Sequence, residues 1–211
     1  AHGIGFCGAE ISGKNDVLKP EQIGVPIVYV DRSPKNAEVI VHSDNETGGY
    51  LATSELISTG CKRIAFFGDE RLRSPVRRRR DGYRRALKEA GMKNLKELEL
   101  SSLPDYESAR QRMRETLSEK GCFFDGVFTT NDMMALGIIH ALSEFGYRVP
   151  EAVKVVGFDN VSTSEFCSPG ITTVTQDTRQ IAVRAGEALL KMLHGESIEE
   201  KDISIPVALT K

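Results

Sequence analysis

Side chains able to recognise hydroxyl groups recur at one kind of place in this sequence, directly after short apolar runs. VPIVYV (residues 25–30) is followed by Asp31 and Arg32, and KRIAFFG (62–68) by Asp69 and then a loop carrying Ser74. DGVFTT (125–130) leads into Asn131 and Asp132, VKVVGF (153–158) into Asp159 and Asn160, and ITTVT (171–175) into Gln176. Carboxylates and amides accept from and donate to several hydroxyls at once. This inventory suits a sugar or similar polyol better than a lipid or a metal ion. The 4 histidines and 4 cysteines are scattered, with no pair at ligand spacing and no CxxC, so neither a metal site nor a cofactor is expected.

The stretch SPVRRRRDGYRRAL (74–87) adds a cation. If residues 77–91 form a helix, each residue advances about 100° around its axis. With Arg79 at zero, Tyr83, Ala86, Leu87 and Ala90 fall within roughly 80° of it and make an apolar stripe. Arg77, Arg78, Arg84, Arg85 and Lys88 lie on the far side, and Arg80 at the edge. Arg79 is therefore a guanidinium at the N-terminal end of a buried face. It requires an anion, a polar ligand or a cleft, because an unpaired buried charge is costly. The other arginines read as a solvated face rather than a nucleic-acid grip, since acids balance them elsewhere and no aromatics are interleaved.

Each strand-end residue has a plainer reading beside the binding one. Asp31 could be a turn or cap residue. Asn131 could cap the following helix, with Asp132 adding charge near its positive end. Asp159 and Asn160 could form only an Asx-type turn. The shared position after apolar runs is what joins them.

The elements that must position these groups alternate. The apolar runs above, together with ISIPVAL (203–209), are rich in Val, Ile and Phe and nearly continuous, as strands covered on both faces should be. Helical patterns lie between them. Residues 47–59 put Gly49, Ala52, Thr53 and Leu56 on one face, and residues 107–118 do so with Ala109, Met113 and Leu117. Residues 132–145 use Met134, Ile138 and Leu142, and residues 177–193 use Ile181, Ala185, Leu189 and Met192. This βα alternation predicts an α/β fold of parallel sheets flanked by helices. In such sheets ligands bind beyond the carboxyl ends of the strands, where the polar groups recur.

Composition narrows the function classes. With 211 residues, 40% apolar and 27% charged, the chain can form one large core or two small ones. A net charge of −2 creates no field drawing it to DNA or anionic lipid, and no apolar run approaches a membrane span. The dispersed cysteines read as reduced thiols of a cytoplasmic protein. No GxSxG, P-loop or GxGxxG is present, and no enzyme activity is expected.

The ordered phrases VPIVYVDR, SDNETGGYLATSELISTGCKRIAFFGD, RRRRDGYRRAL, VFTTNDMMALGIIHAL, VPEAVKVVGFDN and ITTVTQD resemble the lac repressor (LacI) family of transcription regulators. They are similar, more distantly, to periplasmic sugar-binding proteins of the ribose type. The resemblance runs from about residue 3 to the end. It implies a two-lobe periplasmic-binding-protein-like fold with an incomplete N-terminal lobe. The family's helix-turn-helix headpiece, hinge helix and first two βα units are not visible, and the pattern opens near the third strand, HGIGFC. By resemblance, Asp31 is an effector-binding aspartate and Arg79, in the R-x-x-G-Y phrase, clamps effector oxygens. Asn131, Asp159 and Gln176 fall on further binding or cleft positions. Tyr106, in PDYES, falls where the family stacks an aromatic ring on the effector, its alternative being a core or loop tyrosine. Ser74 and Arg32 complete the set.

The resemblance also implies three crossings between lobes, near Ser43, Gln176 and Glu200. Residues 1–43 and 177–199 then form the N-terminal lobe, and 44–176 and 200–211 the C-terminal lobe, with the effector in the cleft between. The implied role is the effector-sensing, dimerising region of a repressor. Its partners would be a small sugar, pentose-like on the Asp31–Arg32 pairing, a second copy of the chain, and operator DNA through a headpiece. A periplasmic sugar-binding transport protein is the alternative.

Overall fold

The apolar runs become strands in the computed structural model, which describes residues 4–7, 25–31, 37–71, 74–161 and 170–211. The chain divides into two compact units, Ala1–Asp44 with Asp177–Pro206, and Asn45–Gln176 with Val207–Lys211.

The first unit holds a parallel sheet in the order β1 (Ile4–Cys7), β2 (Ile27–Val30), β3 (Val39–Ser43), β9 (Asp202–Ile205). Helix α5 (Thr178–His194) packs on it. Ile181 and Ala188, with half-buried Ala185, Leu189 and Met192 beside them, meet Val28, Val39, Val41, Ile203 and Ile205. The apolar residues expected on this helix are those that pack.

The second unit is built on six strands. They lie in the order β10 (Val207–Thr210), β8 (Thr172–Gln176), β7 (Lys154–Asp159), β6 (Gly126–Thr129), β4 (Ile64–Asp69), β5 (Glu99–Ser102), all parallel except β10. The period of two along each strand divides the core between two faces. Ile64 and Phe66 of β4, with Phe128, Val156, Phe158 and Val174, face α1 (Asn45–Ser58) and α2 (Ser74–Glu89). Ala65 and Phe67, with Val127 and Val155, face α3 (Tyr106–Lys120) and α4 (Asp132–Glu144). The strands read as continuous apolar runs because helices cover both faces.

Four expectations are corrected. The run 203–209 is not one strand: β9 pairs with β3 in the first unit, and β10 pairs antiparallel with β8 in the second. Pro206 stands between them, with a ring that fixes φ and no N–H for a ladder. The third passage between units is therefore at Pro206 rather than near Glu200, and residues 200–206 belong with the first unit. Strands β3 and β5 are additions to the predicted set. β5 (ELSS) is short and polar because it lies at the sheet edge, with helix packing on it only in part. Ala90, expected on the buried stripe, is exposed because α2 ends at Glu89.

Candidate functional site

Helix α2 sorts its arginines as the helical wheel predicts. Its buried residues are Val76, Arg79, Gly82, Tyr83, Ala86 and Leu87. Arg77 and Arg85 are exposed, while Arg84 forks onto Glu99 at 2.8 and 2.7 Å and Arg85 pairs with Glu46 at 2.6 Å over the Tyr50 ring. Arg84 and Arg85 are thus ion-paired towards the outside of the helix, and Arg79 is the buried guanidinium of the run. Tyr83 anchors the middle of the helix, its hydroxyl donating to the Ile64 carbonyl at 2.9 Å.

Arg79 is 7% exposed. Its Nε donates to Asn45 Oδ1 at 2.8 Å, and Nη1 donates to the Thr130 carbonyl and reaches Asp159 Oδ1 at 3.5 Å. The guanidinium carbon sits 3.5 Å above the Phe158 ring centroid, a cation–π contact. Two glycines bring these groups together. A Cβ at Gly49 would lie 2.0 Å from the Arg79 carbonyl oxygen, and one at Gly82 would lie 2.0 Å from that of Glu46. Helices α1 and α2 therefore meet backbone to backbone, and Asn45, the first residue of α1, reaches the Arg79 side chain.

Asp159 stands at the carboxyl end of β7 and accepts from Gln176 Nε2 at 2.6 Å. Hydrogen bonds thus connect Gln176, Asp159, Arg79 and Asn45 across the ends of two strands and two helices. The Arg79–Asp159 contact is at the long limit for a hydrogen bond, while the Gln176 contact is short. Among the described residues, the non-glycine positions with positive φ are Asp31 (57°), Asp159 (107°) and Asn160 (53°). Such backbone costs of order 1–3 kcal/mol each and concentrates at functional sites. All three lie where the sequence puts its strand-end polar groups.

The other candidates have different surroundings. Asp31 directly follows β2 in the first unit, its N–H donating to the Val41 carbonyl at 3.0 Å, and its Oδ1 is buried without a hydrogen-bond partner among the described residues. Asn131 caps α4: Oδ1 accepts from Met134 N at 2.7 Å, and Nδ2 donates to the Pro104 carbonyl at 3.2 Å. Ser74 is the first residue of α2 and is half-buried. Tyr106 opens α3 and bonds its hydroxyl to His140 of α4, lining a surface pocket with Leu136, Ile139, Tyr147 and Val149. That neighbourhood is separate from the residues touching Arg79. Asp69 is buried and engaged by Arg71, whose Nε and Nη2 donate to its carboxylate at 2.9–3.1 Å. Arg32 lies outside the described residues.

Asn45 and Phe158, which touch Arg79, are absent from the residues expected from sequence. Phe158 reads as an ordinary core residue of an apolar run. Asn45 carries a helix-start signal, which explains its place in the chain but not its contact with α2. No group of three or more His, Cys, Asp or Glu among the described residues could hold a metal ion.

The chain as a whole resembles known proteins. The periplasmic binding protein-like domain family matches residues 53–211. The chain is 33% identical over 182 residues to the HTH-type transcriptional repressor PurR of Pasteurella multocida strain Pm70, covering 86% of this chain and 54% of that protein. It is 28% identical over 185 residues to the ribose operon repressor of Lactococcus lactis strain IL1403, covering 88% of this chain and 56% of that one. The chain thus spans about half the length of these relatives. Among solved structures, the transcriptional regulator CelR–cellobiose complex superposes with a TM-score of 0.84 at 33% identity, covering 91% of this chain and 59% of that one. A LacI-family regulator from Enterococcus faecium with bound ribose superposes with a TM-score of 0.82 at 26% identity, covering 91% and 71%.

Proposed function

The chain belongs to the periplasmic binding protein-like domain family, and its relatives are LacI-type transcriptional regulators; from that membership we propose that it is the effector-sensing region of a cytoplasmic transcriptional repressor. The effector is a small polyhydroxylated molecule, with a pentose such as ribose as the first choice. The supporting observation is the buried Arg79 guanidinium, stacked on Phe158 and bonded into the chain Gln176–Asp159–Arg79–Asn45 at the carboxyl ends of parallel strands. A sugar hydroxyl donating to Asp159 and accepting from Arg79 replaces the long contact between them with two good hydrogen bonds. Asp31 is proposed as a further effector ligand, as its strained backbone and unpartnered oxygen favour. The cellobiose of the CelR complex and the ribose bound to the Enterococcus faecium regulator support a sugar.

In the intact regulator, effector binding shifts the equilibrium between conformations with a coupling of about 1–3 kcal/mol. A DNA-binding headpiece carried by the rest of the protein reads the operator, and a second copy of this chain supplies the matching half. A dimeric Lac repressor is among the similar structures, and exposed Met133, on α4, with the pocket at Tyr106, Leu136 and Ile139, offers an apolar face for such pairing. Binding proceeds without turnover.

Isothermal calorimetry with D-ribose, cellobiose, sugar phosphates and nucleobases tests the reading. Saturable binding of one of the sugars or sugar phosphates is expected, with at least about a tenfold loss in Arg79→Ala and Asp159→Ala while both keep the wild-type circular dichroism; binding of a nucleobase alone would overturn the sugar assignment. Equal affinity in wild type and both variants would overturn the site.

A further inference from the structure

Asp132 follows Asn131 and opens α4, where a carboxylate ordinarily faces solvent and complements the helix dipole. Here its residue is 0% exposed and its side chain turns to the end of β7. Oδ2 accepts from the Val161 N–H at 2.9 Å, and Oδ1 accepts from the Thr173 hydroxyl at 2.6 Å. The N–H groups of Phe158 and Asn160 also face the carboxylate, and Asn160 N–H donates to Thr173 Oγ1 at 3.3 Å. Successive N–H groups that converge because the backbone enters the left-handed region form an anion-binding nest. The φ values of 107° at Asp159 and 53° at Asn160 create such a concavity, and the anion inside it belongs to the chain itself. Gly157 makes room for it, since a Cβ there would lie 2.1 Å from Asp132 Oδ1.

We infer that Asp132 is a positioning residue: its carboxylate fills the backbone nest at residues 158–161 and fixes the strained turn that presents Asp159 to Arg79 and Gln176. The importance of that turn for effector binding rests on the function proposed above; the conformational role does not. Asp132 of the stretch TNDMMALG and Gly157 of the stretch VVGFDN thus share one space. Burial pushes the Asp132 carboxyl above its ordinary value of 3.8, against the hydrogen bonds from Thr173 and the backbone, as a carboxylate held away from water should be.

Amide hydrogen exchange read by NMR on the full chain decides the matter without any ligand. In Asp132→Asn one donor-bearing atom faces the nest. The amides of Phe158, Asn160 and Val161 are expected to exchange about tenfold faster or more, and the Arg79 Nε–H resonance to shift, while the amides of the central strands β4 and β6 keep their protection. Thr173→Val is expected to act in the same direction, and Thr173→Ser, which keeps the hydroxyl, to restore wild-type exchange. This pair carries the test if Asp132→Asn fails to fold. Unchanged exchange at 158–161 in Asp132→Asn, or identical behaviour of Thr173→Val and Thr173→Ser, overturns the inference. D-Ribose and cellobiose titrations of the same variants separate the two readings. A loosened turn with unchanged sugar affinity keeps the positioning role and removes Asp159 from the effector site.

Discussion

Replacing Gly82 by alanine should destabilise the second unit, although the same change favours an isolated helix. A Cβ at Gly82 would lie 2.0 Å from the Glu46 carbonyl oxygen and 2.6 Å from the Tyr50 nitrogen, both backbone atoms of α1. A carbon–oxygen contact tolerates about 3.3 Å, so α1 and α2 must part by about 1.3 Å. Overpacking of this kind costs about 1–3 kcal/mol, and a backbone obstacle puts the cost at the upper end. Helix propensity returns about 1 kcal/mol, leaving a net loss of about 2 kcal/mol and roughly 6 °C in melting temperature. The same displacement stretches the Arg79 Nε to Asn45 bond, now 2.8 Å, beyond hydrogen-bonding range. Gly186 in α5 is the control, since a Cβ there meets nothing within 4 Å, so Gly186→Ala should stabilise by about 0.5–1 kcal/mol. Thermal and urea unfolding followed by circular dichroism reads both variants, and NMR reads the Arg79 Nε–H. Wild-type stability in Gly82→Ala, with an unmoved Arg79 signal, would refute the claim that backbone contact between the helices positions the arginine.

Tyr83→Phe removes the donor to the buried Ile64 carbonyl while keeping the ring packed, so a loss of about 1 kcal/mol is expected in urea unfolding at neutral pH. Burial pushes the Glu99 carboxyl up, but hydrogen bonds from Arg84 and Asn94 outweigh it and hold the group below its ordinary 4.5. A depressed carboxylate contributes stability that is present above the unfolded value and lost as pH falls through the folded one. Wild type should therefore lose stability below pH 4.5 more steeply than Glu99→Gln, as urea midpoints measured across that range would register.

Arg79 was legible because the helical wheel depends only on residue type and the 3.6-residue period. A lone guanidinium among Tyr83, Ala86 and Leu87 has to be buried wherever the helix packs. Asp159 and Gln176 were legible for a related reason: apolar runs mark strands, and the chain direction says which end is the carboxyl end. Asn131 shows where this fails. Its cap geometry is local and was anticipated, but its amide engages the Pro104 carbonyl, a contact between segments that spacing does not encode. Tyr106 fell at a plausible position in the chain and found its partner on α4, because its neighbour is set by how α3 and α4 pack.

Periodicity and apolar runs, properties of the chain alone, were enough to specify parallel sheets, the helices that cover them and the burial of Arg79. Tertiary structure decided what that arginine touches, why α1 and α2 need glycines where they cross, and that Asp132 turns inward to hold a strained turn rather than outward to a helix end. It also moved the last passage between units to Pro206, since the apolar residues on both sides look alike until each strand finds its sheet. Local pattern is governed by steric and solvation preferences of neighbouring residues. Side-chain partners from distant segments depend on distances that exist only once the chain has folded.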